Sequence, residues 1–353
     1  MKKLVILTAL IGSSFSFSQD KLPFIDRDEI FNLVAQSGQE GNPEKALEYL
    51  NKINKNDSTY CSNLASKAYY LLALKDYDKA ISTADQGLEN KWCTEEYSTY
   101  YINKAVAHIG LKQYDKAIEV IDTGLKDYPN QHLLWFNKGV ALESLGQINK
   151  AVEAYKQTII LNPFYAKPHL QLGNICYKQE KMTQALMCYN MYLLLIADSD
   201  GASNVLKSLN SLVATNNSNT ANPDIKISVD DTSFEELDLI LSQKLALREG
   251  YQTTSKVDEA LVKQSHVLIQ QLEQIEGNNG LWASKYMPFF NWIRDKDYFN
   301  DFIYVLFYST ENEDYQKLIK KNTDNISAYL RRQWLSIVLC RLHKTQITFP
   351  RFM

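Results

Sequence analysis

Residues 148–163 read INKAVEAYKQTIILNP, and the same phrase recurs on either side: YDKAIEVIDTGLKDYP at 114–129 and MTQALMCYNMYLLLIA at 182–197. Ala117, Ala151 and Ala185 stand 34 apart, as do Tyr114, Ile148 and Met182. Ahead of the middle block, Trp135, Gly139 and Leu142 fall on one helical stripe, with Leu145 a turn later. Gly146 is placed to end that helix, since glycine adopts positive φ at little cost. A second helix then turns Ile148, Ala151, Val152, Tyr155 and Ile159 inward. It stops at Asn162-Pro163, because proline disfavours helix at the residue before it. Gly139 and Ala151 are small where the two helices must approach, and Trp135 and Tyr155 fill the space beside them. One such hairpin cannot bury its apolar face alone, so neighbours must stack.

A helix–turn–helix unit with a period of 34 resembles the tetratricopeptide repeat, with Ala105, Gly139 and Gly173 at the small position of the first helix. The pattern extends backward. Residues 77–90 (YDKAISTADQGLEN) match a second helix, and so does PEKALEYLNKI at 43–53, where Pro43 suits a helix start. Ala46 and Ala80 are again 34 apart, but Ala80 and Ala117 are separated by 37. The helix predicted over 28–37 matches poorly, as terminal repeats often do. Gly87 and Gly124 lie inside second helices, where glycine costs about 1 kcal/mol against alanine; close helix approach is the expected reason. Five repeats are expected, and the clear resemblance covers residues 43–197. The predicted fold class is all-α: a tetratricopeptide-type helical-hairpin solenoid over 24–197, a capping helix and linker over 198–232, and a helical C-terminal domain over 233–353.

Residues 1–18 read as a cleaved signal peptide, with Lys2 and Lys3 ahead of the apolar run 4–11 and small residues Ser16 and Ser18 before Gln19. The expected location is periplasmic or secreted, with no membrane insertion after signal removal. An oxidising compartment changes how cysteines read. Cys61 opens the first helix of the second hairpin and Cys93 follows its second helix, so antiparallel packing brings those ends together. A Cys61–Cys93 disulfide and two unpaired thiols both remain open readings. Cys176 and Cys188 read as small buried apolar residues.

Beyond 198 no family is recognised. A short helix is expected over 200–213 and a linker over 214–224, where the sequence is polar and aperiodic. The SFEE of 233–236 suits a capping box opening a helix to about 249. A further amphipathic helix is expected over 257–275. An aromatic-rich helical region covers 281–308, with Pro288 expected to break it, and a last helix covers 326–342. The aromatic run from Trp282 to Tyr308 suits either an internal core or a second interaction surface.

The resemblance implies a concave groove lined by the first helices. Its expected partner-binding positions are Tyr69, Leu72, Ile102, Val106, Ile109, Phe136, Val140, Leu170, Asn174 and Tyr177. Some family members hold a peptide's terminal carboxylate with Lys and Asn in the groove. Here Ile102, Val106 and Val140 stand at such places and only Asn174 is polar, so an apolar segment is the better expected ligand. The alternative is that the protein's own C-terminal region covers those positions. The expected partner is a protein or peptide, and self-association through groove-to-tail contacts is a further reading.

Chemistry is sparse. Cys340 and His343 lie one helical turn apart without further ligands nearby, whereas zinc takes four. His108 reads as a packed core residue. No phosphate-binding glycine loop or His-Glu-x-x-His motif occurs. Acidic and basic residues nearly balance at a net charge of −3, which leaves no electrostatic footprint for nucleic acid. The expectation is a non-enzymatic scaffold with no catalytic residues, metal or cofactor. The alternative is that the C-terminal domain binds a small ligand or is catalytic, with the repeats recruiting its substrate.

Overall fold

The computed structural model describes residues 26–197, 199, 201–215, 234–275 and 280–322. Among these, every regular element is helical. Five hairpins follow one another: α1 (Arg27–Gln39) with α2 (Pro43–Leu50), α3 (Tyr60–Ala73) with α4 (Tyr77–Glu89), α5 (Tyr97–Gly110) with α6 (Tyr114–Asp127), α7 (His132–Ser144) with α8 (Ile148–Leu161), and α9 (Ala166–Lys178) with α10 (Met182–Ile196). The small residues do what the repeat requires of them. Ala46, Ala80, Ala117, Ala151 and Ala185 are all fully buried. A Cβ on Gly139 would sit 2.5 Å from the Tyr155 ring, closer than packed atoms tolerate.

Each hairpin turns through one residue with left-handed backbone: Gly41, Lys75, Lys112, Gly146 and Glu180. Their spacing repeats the period of the alanines. Only two of the five are glycine, although a side chain in this conformation costs about 1–2 kcal/mol. Lys112, at φ +57°, is therefore strained in a way that glycine would relieve. We expect Lys112→Gly to stabilise the solenoid by about 0.5–1 kcal/mol, after the extra entropy of glycine in the unfolded chain is subtracted. A denaturant midpoint that fails to rise would contradict this.

Neighbouring first helices are stitched by polar side chains. Asn103 Nδ2 donates to the Ala65 carbonyl at 3.0 Å, and the Tyr100 hydroxyl donates to that of Cys61 at 2.6 Å. The ion pairs Lys104–Asp85 and Lys138–Asp122, both 2.6 Å, join each first helix to the second helix of the preceding repeat. Lying partly in solvent, each contributes at most about 1 kcal/mol.

The C-terminal helices close one end of the stack. These are α11 (Ala202–Ala214), α12 (Glu235–Ser242), α13 (Ala260–Gln271), α14 (Met287–Asp295), α15 (Phe299–Leu306) and α16 (Glu313–Asn322). They share a single apolar core with the fourth and fifth repeats, running from Phe136 to Ile319. Phe289, Phe290, Phe302 and Tyr286 are all fully buried in it, so most of the aromatic run is core. Helix termini here are capped by side chains of neighbouring helices. Asp238 of α12 accepts from the Thr183 amide at the start of α10, at 2.8 Å. Asn210 of α11 accepts from the Leu261 amide at the start of α13, at 2.9 Å. Each supplies a partner to an amide that its own helix leaves unpaired.

Several boundaries differ from expectation. Pro288 does not break a helix; it sits in the first turn of α14, where its missing N–H is not needed. The widened turn Trp282–Tyr286 leads directly into it. The break falls instead at Lys296-Asp297, where Asp297 has φ +55°. The helix opened by 235 ends at Ser242 rather than near 249, because Lys244 turns left-handed and a short 3-10 turn, Leu245–Leu247, follows. The helix expected from 257 begins at Ala260, and α16 was not anticipated. The signal-peptide residues, most of the 214–224 linker, Ser233 of the expected capping box, the 326–342 helix and the Cys340–His343 pair lie outside the described residues.

Candidate functional site

The first helices of the repeats enclose an open groove of about 1030 Å³. It is lined from α1 (Phe31, Val34) through α3 (Tyr69, Leu72), α5 (Ile102, Val106) and α7 (Leu133, Phe136) to Tyr165 and Lys167 at the start of α9. Most of this wall is apolar, with amides of Asn103, Asn137 and Gln131 set along it. Its charged residues are Glu96, just ahead of α5, and Lys167 at the far end. Tyr69 stands 61% exposed over the groove, edge-on to Tyr70, whose hydroxyl donates to the Val34 carbonyl. An amphipathic ring held by its neighbour loses little entropy on binding, which suits a contact residue.

Of the ten expected positions, Tyr69, Leu72, Ile102, Val106 and Phe136 line this space. Phe136 is its floor rather than its surface. It is only 9% exposed and packs on Tyr165 and Tyr155 at 5.1 and 5.9 Å between ring centres. Ile109, Val140, Leu170, Asn174 and Tyr177 do not line the groove. At the fifth repeat α11 has taken the space: the Tyr177 ring is buried and its hydroxyl donates to the Leu212 carbonyl at 3.0 Å. Asn174 accepts from the Tyr189 hydroxyl. Leu170 and Val140 pack at the edge of the shared core. At Tyr177 the expectation of an open groove position is corrected by that covering helix; the other four lie off the lining of this space. Phe31 and Ala35 of α1 were missed, although Phe31 and Ala65, like Ala35 and Tyr69, are 34 apart, a shift that could have found them.

A disulfide joins Cys61 and Cys93, tying the start of α3 to the segment before α5. Groove residues Ser62, Ala65, Glu96 and Thr99 flank the two cysteines. Trp92, next to Cys93, is 91% exposed and sits in the stretch that widens the alanine spacing to 37. Cys176 and Cys188 are buried and outside any disulfide, and burial pushes the Cys188 thiol up to about 12, which removes it from nucleophilic chemistry at neutral pH.

His169 forms a fully enclosed polar contact between the repeats and the C-terminal helices. Its Nε2 lies 2.9 Å from the Pro163 carbonyl, which can only accept, so Nε2 carries the proton. Nδ1 then accepts from the Tyr286 hydroxyl at 2.6 Å, and that oxygen accepts in turn from the Cys188 thiol at 3.5 Å. Burial lowers the ring to about 4. Because the folded value lies below the unfolded one of about 6.5, the unfolded chain takes up the proton first as pH falls. Stability is full above pH 6.5 and declines between about 6.5 and 4, by roughly 3 kcal/mol in all. His132 and His266 are lowered in the same sense by burial and steepen the decline. Unfolding free energies measured from pH 7.5 to 4 should show this slope, and His169→Gln should flatten it; an unchanged slope would count against His169 as its source.

Among the described residues no group of three or more His, Cys, Asp or Glu could hold a metal ion, and no helix is long and apolar enough to cross a membrane.

Two tetratricopeptide-repeat family models match the chain, over residues 65–132 and 132–165. No curated protein matches its sequence. Solved structures that are similar include MamA from Desulfovibrio magneticus RS-1, 22% identical over 49% of this chain and 97% of that one, with a TM-score of 0.38. A thermophilic TPR protein of Thermus thermophilus is 16% identical over 53% of this chain and 99% of its own, with a TM-score of 0.45. The segment matched by the family models runs from within α3 to the threshold of α9, and the five hairpins keep one register of buried alanines and left-handed turns: the chain carries tetratricopeptide repeats.

Proposed function

We propose that this protein-interaction scaffold is exported and grips an apolar peptide or protein segment in the groove between α1 and the start of α9. The observation that carries the reading is the groove itself: about 1030 Å³ of open space, walled by side chains of the kind that anchor interfaces. Extended and helical segments both recognise such walls through a few apolar anchors. The Cys61–Cys93 disulfide supports export, since disulfides persist in oxidising compartments, and so does the signal-like start of the sequence.

The test uses the chain from Gln19 beside a Tyr69→Asp/Val106→Asp variant, each as bait for an envelope or secreted fraction. Tyr69 is exposed and Val106 half-buried, so the pair alters the groove with less damage than a change at Phe136. A partner captured by the wild type and lost by the variant, at matched unfolding midpoints, is the expected result. Equal capture by both would overturn the groove assignment. Cell fractionation with sequencing of the mature N-terminus tests export separately; an intact Met1 in the cytoplasm would refute it.

A further inference from the structure

We propose that the groove selects a segment of mixed charge: apolar anchors, with a basic residue placed to meet Glu96 and an acidic residue placed to meet Lys167. This rests on the groove being a peptide site. The first observation is how the lining is sorted. The first helices run the same way, so residues at their starts share one long edge. Glu96 stands immediately before α5, Gln131 immediately before α7, and Lys167 in the first turn of α9. Tyr69, Leu72 and Val106 lie in the later turns of α3 and α5 and form an apolar edge. A segment lying across the helices therefore meets polar groups along one side and apolar groups along the other.

The second observation is that the fold leaves both charges unused. Lysines that join neighbouring repeats are paired, Lys104 with Asp85 and Lys138 with Asp122. Among the described residues neither the Glu96 carboxylate nor the Lys167 ammonium has an ion pair or a side-chain hydrogen bond. The third observation is the place of Lys167. Helices α2, α4 and α6 carry an acid in the first turn, Glu44, Asp78 and Asp115, whereas α9 has none there. A cation at a helix start opposes the helix dipole, and an anion is favoured. An acidic group brought by a ligand would remove that conflict. Helices α5 and α9 are two first helices apart, about 16–20 Å at about 8–10 Å between packed axes. A helical segment covers that distance with about 11–13 residues, and an extended one with about 5–6. The partner's two charges are separated accordingly.

The test selects a random phage-displayed library of peptides of about 16 residues, long enough for either form. The baits are the wild-type chain, Glu96→Lys and Lys167→Glu, with Tyr69→Asp/Val106→Asp as the control for the groove, all at matched unfolding midpoints. The wild-type pool should carry a basic and an acidic residue around an apolar stretch, at one of those separations. On Glu96→Lys a second acidic residue should replace the basic one, and on Lys167→Glu a second basic residue should replace the acidic one. Pools of the same charge content on all three chains would overturn the proposal. In a second measurement, the wild-type consensus peptide is labelled with fluorescein and titrated beside a version whose basic residue is glutamate. The exchange should weaken binding to the wild type about fivefold and strengthen binding to Glu96→Lys, and both differences should shrink at high salt. The same ranking on both chains would overturn the proposal. The two readings fail separately. Peptides held by the wild type and lost by the control, with no charge preference, leave the groove as a peptide site and remove the charge selection. Peptides held equally by the control, or no enrichment on any chain, remove the groove and the selection with it.

Discussion

Ala151→Glu is expected to unfold the middle of the solenoid, at a cost of about 4 kcal/mol or more. Ala151 is fully buried in the core shared by the fourth and fifth repeats and the C-terminal helices. It faces a first helix that approaches so closely that its own crossing residue is Gly139. A carboxylate there loses its water without gaining a partner, and the rest of the glutamate side chain must enter an apolar core that is already packed. Either effect alone is among the larger that single substitutions produce. The measurement is a chemical unfolding curve followed by circular dichroism, with limited proteolysis to locate the opened segment. Cleavage should begin between α6 and α9. Retention of the wild-type midpoint would mean that the repeat register is misassigned at this hairpin.

Removing the disulfide should cost nearly as much. Cys61 and Cys93 close a loop with a sequence separation of 32, for which the loss of unfolded-state entropy amounts to about 3–4 kcal/mol. The bond is the covalent link between the start of α3 and the stretch that lengthens the second repeat beyond its neighbours. Without it, that stretch is held only by noncovalent contacts, among them the Tyr100–Cys61 hydrogen bond, the Tyr97 and Tyr128 hydroxyls on the Asn90 and Thr94 carbonyls and the buried Cys93. Cys61→Ser/Cys93→Ser should lower the unfolding midpoint, and reductant should lower the wild type to the same value. The loss should be confined to the first three repeats, because stability in such arrays is a sum over neighbours. A double-serine variant as stable as the oxidised wild type would show that the loop is already ordered by its noncovalent contacts.

The sequence was legible where contacts are short-range. Within a repeat, Gly139 and Tyr155 meet across sixteen positions, and the spacing of small and large residues records that meeting; Trp135 instead faces the outer side, with its indole N–H on the Pro129 carbonyl. The groove was legible at Tyr69, Leu72, Ile102 and Val106 for the same reason, since a repeat's first helix faces the same way each time. The fifth repeat broke that inference. Nothing near Tyr177 announces that α11, 35 positions later at Leu212, will fold back over it. The C-terminal helices were legible as helices and not as a cap. Their partners are residues such as Asp238 for Thr183, Ser265 for Asn190, and Tyr286 for His169, separated by 55 to 117 positions. Helix α16 was missed because most of EDYQKLIKKN is polar, and Ile319 is the residue it buries in the core among those whose burial is described.

The apolar core is unevenly divided along the stack. One continuous cluster joins the fourth and fifth repeats to every C-terminal helix described, whereas the first three repeats are held by three small separate clusters. The molecule therefore has an anchored end and a compliant end. Under a stretching force or a rise in temperature, repeats should peel away from the N-terminal side while the far half remains whole. Both the groove's exposed tyrosine and the disulfide lie in the compliant half. The covalent bond thus reinforces the half of the solenoid whose apolar core is divided.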